Sequence, residues 1–318
     1  MTQKLFDITI AGELNLDLIL YGIPAEMQTE RELLATDFQV TLGSSSAIVA
    51  HNAASIGAKV AFSTLVGSDD FGRIAVERLS AAGVDTSHTK RHKTIATGVT
   101  LLLPHGDRRH ILTFPGTIAE LTVADLDFEF LLQARHFHLS SLYLQRGLGP
   151  NLPDLLRRLK RAGLTISLDT NDDPDDLWGY PLSEVLPYVD IFLPSEDEMC
   201  RMTGSSNLDS AIQALPVRPP VIVVKRGSRG SRVYEQGRAS DVTPLSVVPL
   251  DTIGAGDSFD AGFLHAYLLS KDTITCARIG NITGALSTQA SGGTEAFRNP
   301  LLRDLFLREH GFFDLLMS

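Results

Sequence analysis

A short glycine-rich stretch followed by an acid is the part of the chain best suited to chemistry. It consists of Gly254, Ala255, Gly256 and Asp257, and an apolar pattern of helical spacing continues from it to about Ser270. The first N–H groups of a helix have no intrahelical partners and lie at the positive end of the helix dipole. Glycines let an anion approach this backbone closely. The sequence therefore predicts an anion pocket with a carboxylate beside it.

The flanking residues indicate how this stretch is held. The apolar run at 246–250 predicts a short buried strand, which would place the glycines where a strand ends and a helix begins. The structural alternative is an ordinary helix start in which Asp257 stabilises the dipole by roughly 0.3–1 kcal/mol. The spacing is not a dinucleotide fingerprint, because Phe259 stands where the third glycine would be.

The longer string that begins at Asp251 is more specific than its glycines. It reads Asp-Thr-Ile-Gly-Ala-Gly-Asp-Ser-Phe and resembles the C-terminal signature of the ribokinase-like (PfkB-type) carbohydrate kinases, Asp-Thr-x-Gly-Ala-Gly-Asp-x-Phe. The resemblance implies that the amides of the Gly-Ala-Gly segment hold the transferring phosphoryl group. It implies that Asp257 takes the proton from the substrate hydroxyl, and that Asp251 binds a monovalent cation, often K⁺.

Composition limits the classes of partner. The chain has 318 residues, with 28 basic against 38 acidic residues and a net charge of −10, so its surface should repel nucleic acid and anionic membranes. It contains neither an apolar run of membrane-spanning length nor the apolar N-terminal stretch of a secretory signal, which predicts a cytoplasmic protein. Cys200 and Cys276 are too few and too far apart for a metal motif or a disulfide framework.

Residues near the N-terminus predict a substrate site. A strand-like run at 6–11 ends at Gly12, and Asn15 and Asp17 follow two residues apart, which points both side chains to one side. Turn chemistry is the structural alternative, because Asn and Asp are common turn formers. In the family that the chain resembles, an Asp of this segment binds two sugar hydroxyls. We therefore expect Asn15 and Asp17 to bind the sugar.

A second substrate segment departs from the family pattern, which is Gly-Gly-x-x-x-Asn before a helix. Gly43 matches, Ser44 replaces the second glycine and Ile48 replaces the asparagine. Ser44 still offers an amide and a hydroxyl to a sugar, whereas the side chain of Ile48 cannot form a hydrogen bond. Ser45 stands where ribose-specific members carry a lysine, which argues against ribose. The identity of the sugar stays open.

Residues 97–103 and 109–114 flank a turn at 104–107 and predict a β-hairpin. Together with strand-like residues within about 14–40, the region at about 95–116 would form a small sheet over the sugar site. The resemblance implies that this sheet is a lid and that lids pair between subunits in a homodimer. The whole chain, 1–318, is then a single ribokinase-like α/β domain.

From Leu121 onward, helical and strand-like segments alternate, which predicts a doubly wound, mostly parallel central sheet flanked by helices. Ligands collect at the carboxyl ends of such strands, and Asn171 follows the strand-like run 165–168. Asn171 matches the asparagine of the family's Asp-x-Asn segment and is expected to bind the substrate. Glu198 matches the family's Asn-x-x-Glu motif, with Ser195 in place of the asparagine, and would organise Mg²⁺ through water. Dipole stabilisation is the alternative for Glu198.

The nucleotide side is predicted from residues after a strand at 220–224. Lys225, Gly227 and Gly230 resemble the family's Thr-x-Gly-x-x-Gly loop, with the lysine in place of threonine. The glycines would allow backbone contact with the nucleotide, and Lys225 would neutralise its phosphates. Asn281 stands at a common family position beside adenine.

The sequence thus predicts an ATP-dependent kinase, with Mg²⁺ and K⁺, that phosphorylates a hydroxyl of a small neutral sugar or polyol. The substrate is expected to be neutral because Asp173 stands where relatives acting on sugar acids carry an arginine. A nucleoside kinase of the same fold is one alternative, and aromatic lid residues would favour it. A non-catalytic sugar sensor is another, which the intact Asp257 argues against and the substitutions at Ser44, Ile48 and Ser195 leave open.

Overall fold

The computed structural model describes residues 4–105, 108–179 and 182–317, so Gly106 and Asp107 of the predicted hairpin turn lie outside the described residues. The strands are β1 (Phe6–Ala11), β2 (Leu16–Tyr21), β3 (Asp37–Leu42), β4 (Val60–Gly67), β5 (Asp85–His92), β6 (Val99–His105), β7 (Arg108–Phe114), β8 (Ala134–Leu139), β9 (Thr165–Leu168), β10 (Ile191–Phe192), β11 (Val221–Lys225), β12 (Ser231–Glu235) and β13 (Arg238–Val242).

The α-helices are α1 (Ser45–Ser55), α2 (Asp70–Ala81), α3 (Phe128–Leu131), α4 (Leu152–Arg161), α5 (Leu182–Val185), α6 (Glu196–Thr203), α7 (Leu208–Ala214), α8 (Ala255–Leu268), α9 (Thr273–Ser287), α10 (Glu295–Arg298), α11 (Pro300–Glu309) and α12 (Phe312–Met317). Helix α4 shows why such segments are helical. Its four leucines are buried at spacings of three, one and three residues, and its basic residues occupy the opposite face.

The strands form two sheets, as the sequence predicts. The larger sheet has nine strands in the order β13-β12-β11-β10-β9-β8-β1-β4-β5. Every neighbouring pair from β11 to β5 is parallel, and the two strands at the other edge are antiparallel. The smaller sheet has four strands in the order β3-β2-β6-β7, which confirms the predicted small sheet. The fold is therefore the doubly wound α/β architecture with a separate small sheet.

Both faces of the large sheet are covered, because successive side chains of a strand point to opposite faces. In β11, Val223 packs into a core with α1, α8 and α9. Its neighbours Ile222 and Val224 pack into a second core with α4, α6 and α7. Such two-sided burial explains the continuous apolar character of the central strands. Among the described residues, no helix has the length and apolar character needed to cross a membrane.

The predicted strand at 246–250 is wrong. No strand forms there, and Val248 and Leu250 are 88% and 70% exposed. Pro249 has no N–H to contribute to a sheet. The chain leaves the sheet after β13 and passes the end of α9, where the N–H of Leu250 donates to the carbonyl oxygen of Thr288 at 2.7 Å. The glycine-rich stretch therefore follows an irregular connection rather than a strand.

Candidate active site

The start of α8 has the backbone geometry that the sequence predicts for an anion pocket. Gly254 caps the helix with φ +68°, a conformation that favours glycine, and Ala255, Gly256 and Asp257 form the first turn. The amides at this end of the helix are therefore directed away from the helix body. Asp251 connects the segment before the pocket to the loop at Gly292. Its carboxylate accepts the N–H of Ile253 at 3.0 Å and that of Gly292 at 2.9 Å.

The side chain of Ile48 packs against the backbone that borders this pocket. It is 3% exposed, and its Cδ1 lies 3.2 Å from where a Cβ on Gly254 would be and 2.5 Å from where one on Gly293 would be. The side chain therefore fills the space against two glycine backbones that border the pocket. The residue that departs from the family's asparagine is thus a packing residue of the pocket floor.

The predicted sugar-binding side chains meet over Gly43. A Cβ at Gly43 would overlap Oδ1 of Asp17 and lie 2.8 Å from Oδ1 of Asn15, so only a glycine leaves room for both. The amide nitrogen of Asn15 donates to Thr100 Oγ1 of β6 at 3.1 Å. Within residues 4–105, 108–179 and 182–317, no donor reaches Asn15 Oδ1 although it is buried. A polar group left unsatisfied in this way is suited to a substrate hydroxyl.

The hydroxyl of Ser44 is already used in a hydrogen bond within the protein. It adopts φ +63° at the start of α1, and its hydroxyl donates to the carbonyl oxygen of Glu13 at 2.7 Å. The carboxylate of Glu13 in turn accepts the N–H of Ser46 at 3.1 Å. These bonds attach the start of α1 to the segment after β1. The hydroxyl of Ser44 is a structural group here, and a sugar contact through its amide stays a prediction.

Asp257 lies next to Asn171, one of the residues predicted to bind the substrate. Asn171, after β9, donates to Oδ1 of Asp257 at 3.4 Å and accepts the N–H of Ser141 at 2.8 Å. Burial raises the pKa of Asp257, and the charge of Asp169 adds to this, whereas Lys225 and a hydrogen bond from Ser45 oppose it. Asp257 is thus held by neutral donors near other acids, an arrangement found in catalytic bases.

Asp17 and Asp257 act on each other electrostatically. Burial raises the pKa of Asp17 to about 7, with Asp257 and Asp251 adding to the shift and Arg109 opposing it. Arg109 belongs to β7 of the small sheet, and its Nη1 donates to Oγ1 of Thr252 at 3.2 Å, beside the anion pocket. The small sheet, which carries both Asp17 and Arg109, therefore reaches the segment before α8.

The residues predicted to bind the nucleotide lie near the turn after β11 and the end of β13. Gly227 and Gly230 adopt φ +55° and +79° in the turn that follows the strand. Asn281 of α9 donates to the carbonyl oxygen of Thr243 at 3.0 Å, just after β13. Lys225 is held between two acids, since its Nζ donates to Asp169 at 2.6 Å and to Asp260 at 3.1 Å. Its predicted contact with phosphate stays a prediction.

Glu198 and Ser195 form a capping box at the start of α6. Ser195 Oγ accepts the N–H of Glu198 at 3.3 Å, and Glu198 accepts the N–H of Ser195 at 2.9 Å. Burial and the charge of Asp169 raise the pKa of Glu198, and Lys225 opposes this. Ser195 thus replaces the family's asparagine as a helix cap, and Glu198 remains next to the acids of the site.

Two further placements were not evident from the sequence. Asp173, expected near the substrate, directs its carboxylate to its own loop, where it accepts the N–H groups of Asp175, Leu177 and Trp178 at 3.1, 3.0 and 2.6 Å. Asp169 and Asp260, which sequence reasoning did not single out, flank Lys225 instead. A signal for Asp260 existed, because it lies one helical turn after Asp257 on the same face.

The sequence and fold of this chain were compared with those of known proteins. Residues 6–300 match the pfkB family carbohydrate kinases. A ribokinase of Haemophilus influenzae is 26% identical over 302 residues, covering 90% of this chain and 93% of the relative. An uncharacterized sugar kinase of Archaeoglobus fulgidus is 27% identical over 240 residues, covering 76% of this chain and 95% of the relative.

A solved structure shares the fold. The crystal structure of a putative ribokinase II from E. coli in complex with ATP and Mg²⁺ has a TM-score of 0.83 and 24% identity, covering 96% of this chain and all of that chain. The match over residues 6–300 includes the anion pocket, the small sheet and the loop after β11. The chain belongs to the pfkB family of carbohydrate kinases.

Proposed function

We propose that this protein transfers the γ-phosphoryl group of ATP to a hydroxyl of a small neutral sugar or polyol, with Asp257 as the general base. One observation carries the proposal: Asp257 lies in the first turn of α8, beside the anion pocket and bonded to Asn171. Phosphoryl transfer requires mainly positioning and charge stabilisation, which a helix start and a fixed carboxylate provide.

Each substrate residue has a task in this reaction. Asp17 and Asn15 bind sugar hydroxyls over Gly43 and so determine which oxygen faces the nucleotide. Asp257 accepts the proton of that oxygen as it attacks phosphorus. Asn171 keeps the carboxylate oriented during this transfer.

The anion pocket and the loop after β11 act on the nucleotide. The amides of Gly254 and Gly256 donate to the oxygens of the transferring group, and that of Ala255 does so in exchange for its 3.3 Å hydrogen bond to the carbonyl oxygen of Thr252. Such donors are of the kind that contributes most to these reactions. Gly227 and Gly230 let the nucleotide approach the backbone, with Asn281 at the adenine end.

The proposed reaction would use two cations. Glu198, a half-buried acid beside the site, would hold the waters of a Mg²⁺ ion, and that ion would supply positive charge to the phosphates of ATP. A monovalent cation such as K⁺ would lie at Asp251, which already joins the segment before α8 to the loop after α9.

The charges around the substrate support a neutral one. Asp17, Asp251 and Asp257 are the acids of the substrate cleft, where Arg109 opposes them at Asp17 and Lys225 at Asp257. A substrate carboxylate about 5 Å from one unpaired acid meets a repulsion on the order of 3 kcal/mol at an effective dielectric of about 20. Lys225 is already paired with Asp169 and Asp260, so the three acids of the cleft outweigh Arg109 and disfavour sugar acids. Asp173 does not contribute as its place in the sequence suggested.

The lid offers a surface for a second copy of the chain. Three apolar side chains of β7, those of Ile111, Leu112 and Phe114, are 57%, 52% and 54% exposed on the edge strand of the small sheet. An exposed apolar edge strand is a ready template for pairing. We therefore propose a homodimer formed through the lid.

The test is ATP consumption with a panel of neutral sugars, polyols, sugar acids and nucleosides, followed by Asp257→Asn on the best substrate. We expect a neutral sugar or polyol to be preferred and Asp257→Asn to lose at least about 10²-fold in turnover while still binding the sugar. Asp304→Asn, at an exposed acid of α11, is the matched control and should leave turnover unchanged. Near-normal turnover by Asp257→Asn would reassign the base, and a preferred sugar acid would refute the neutral substrate.

A further inference from the structure

A buried ion cluster lies under the first two turns of α8. The ammonium group of Lys225, at the end of β11, lies between carboxylates of Asp169 and Asp260 at 2.6 and 3.1 Å. Both acid side chains are fully buried, and that of Lys225 is 11% exposed. Charges are costly to bury unless they are paired, so the lysine is held in place by these two acids.

The cluster touches the anion pocket from the protein side. A Cβ on Gly256 would lie 3.6 Å from Lys225 Nζ and 3.9 Å from its Cδ and Cε. The lysine side chain therefore packs against the backbone of Gly256, the second residue of the helix. Asp260 lies one turn further along the same helix, so Lys225 contacts α8 at two points.

Asp257 lies among charges from several elements. Asp169, after β9, and Asp260, in α8, face it from the protein side, and Asp17 of β2 faces it from the substrate side. Lys225 is the cation that opposes these acids at Asp257.

The other groups around Asp257 cannot supply the positive charge that Lys225 provides. Ser45 of α1 and Asn171 are neutral hydrogen-bond donors to Asp257. Glu198 of α6 adds a further acid that acts on Asp169 and Lys225. Arg109 of the lid acts on Asp17, at the far side of the cleft.

We propose that Lys225 is a positioning residue for phosphoryl transfer, which keeps Asp257 ionised by its charge and holds the start of α8 through Gly256 and Asp260. This inference rests on the proposed role of Asp257 as the base. It differs from the direct contact with nucleotide phosphates that the loop sequence predicts for Lys225. In this arrangement the lysine acts through the base and the helix.

The effect of the charge follows from electrostatics. Burial lowers the pKa of Lys225, but the charges of Asp169 and Asp260 outweigh it and raise the pKa above its usual value, so the lysine stays charged. An opposite charge at short range lowers the pKa of an acid by about 1–3 units. Without it, Asp257 would take up a proton at a higher pH and lose its function as a base there.

The test is the pH dependence of turnover at saturating ATP and sugar, from about pH 5 to about pH 9, for wild type, Lys225→Met and Lys225→Arg. We expect Lys225→Met to move the acid limb of the profile upward by about 1–3 pH units and to recover activity at alkaline pH. Lys225→Arg, which keeps the charge, should keep the limb close to that of wild type. Lys93→Met, at an exposed position, is the matched control and should change nothing.

Two further variants distinguish an effect of charge on Asp257 from a folding defect in Lys225→Met. Asp169→Asn combined with Lys225→Met removes one charge of each sign and should move the limb back toward that of wild type. Asp260→Asn should leave the limb close to that of wild type, because burial and the charge of Asp169 raise the pKa of Asp260 well above its usual value, so that it carries no charge over the acid limb. A rise in the KM for ATP with an unmoved limb in Lys225→Met would show phosphate contact and overturn the inference.

The failure of this inference is distinct from the failure of the proposed function. If Asp257→Asn loses turnover and the limb is the same in all Lys225, Asp169 and Asp260 variants, Asp257 stands as the base and Lys225 has no part in its ionisation. If Asp257→Asn keeps turnover, the base is assigned wrongly and this inference falls with it.

Discussion

The backbone of Gly254 gives the sharpest test of the anion pocket. Its φ of +68° disfavours any residue with a Cβ, and a Cβ there would lie 2.6 Å from Cα of Gly293. This distance falls about 0.8 Å short of the 3.4 Å at which ordinary contact begins. Because the obstacle is backbone, the start of α8 or the loop at Gly293 must move by about that amount in Gly254→Ala.

The expected loss has two parts. Left-handed backbone costs a residue with a Cβ roughly 1–2 kcal/mol of stability. A displacement near 1 Å at the reacting groups costs about 10²-fold in rate, because the amides no longer match the transferring group. We therefore expect Gly254→Ala to lose both stability in urea unfolding and about 10²-fold in turnover.

A matched control separates these parts. Gly237, between β12 and β13, has φ +76°, and a Cβ there would meet nothing within 4 Å. Gly237→Ala should lose the same roughly 1–2 kcal/mol and keep its turnover. If Gly254→Ala turns over as fast as Gly237→Ala at equal temperature and saturating substrates, the amides at the start of α8 do not bind the transferring group.

Three further outcomes are expected. In buffer free of sodium and potassium, added K⁺ should raise turnover, because a cation at Asp251 would order the segment before α8; equal rates across a K⁺ titration would leave Asp251 a structural residue. Burial raises the pKa of Asp17 to about 7, so the carboxylate that accepts sugar hydroxyls forms only as the pH rises through this value. The KM for the sugar should fall over that range, and Asp17→Asn should abolish the dependence; a KM that is flat in wild type would contradict this role. Light scattering should show a dimer that Phe114→Glu dissociates and Leu301→Glu, at an exposed site of α11, does not; a monomeric wild type would refute the lid interface.

Much of the architecture follows from local sequence patterns. The alternation of strand and helix after Leu121 predicts the parallel sheet, because each apolar period reports how a segment buries its own side chains. The anion pocket is likewise local, since Gly254 and Asp257 belong to one turn of one helix. That Asn15 and Asp17 lie side by side could also be predicted, because the end of β1 and the start of β2 are adjacent in the chain.

Other features depend on residues far apart in the chain. Lys225 is paired with Asp169 and Asp260, which lie 56 and 35 residues away, so its sequence context suggested a free cation for phosphate. Ile48 fills the pocket floor only because α1 packs against the segments at Gly254 and Gly293.

Two predictions made from local sequence were wrong for the same reason: the partner of the segment lies elsewhere than expected. The run at 246–250 has the apolar character of a strand, yet no neighbouring strand is available to it after β13 ends the sheet. Asp173 follows Asn171 closely, but its carboxylate turns to three amides of its own loop. A sequence pattern reports what a segment can bury or bond. Which partner it meets depends on the packing of the whole chain, because burial and pairing energies are shared between residues that only the tertiary structure brings together.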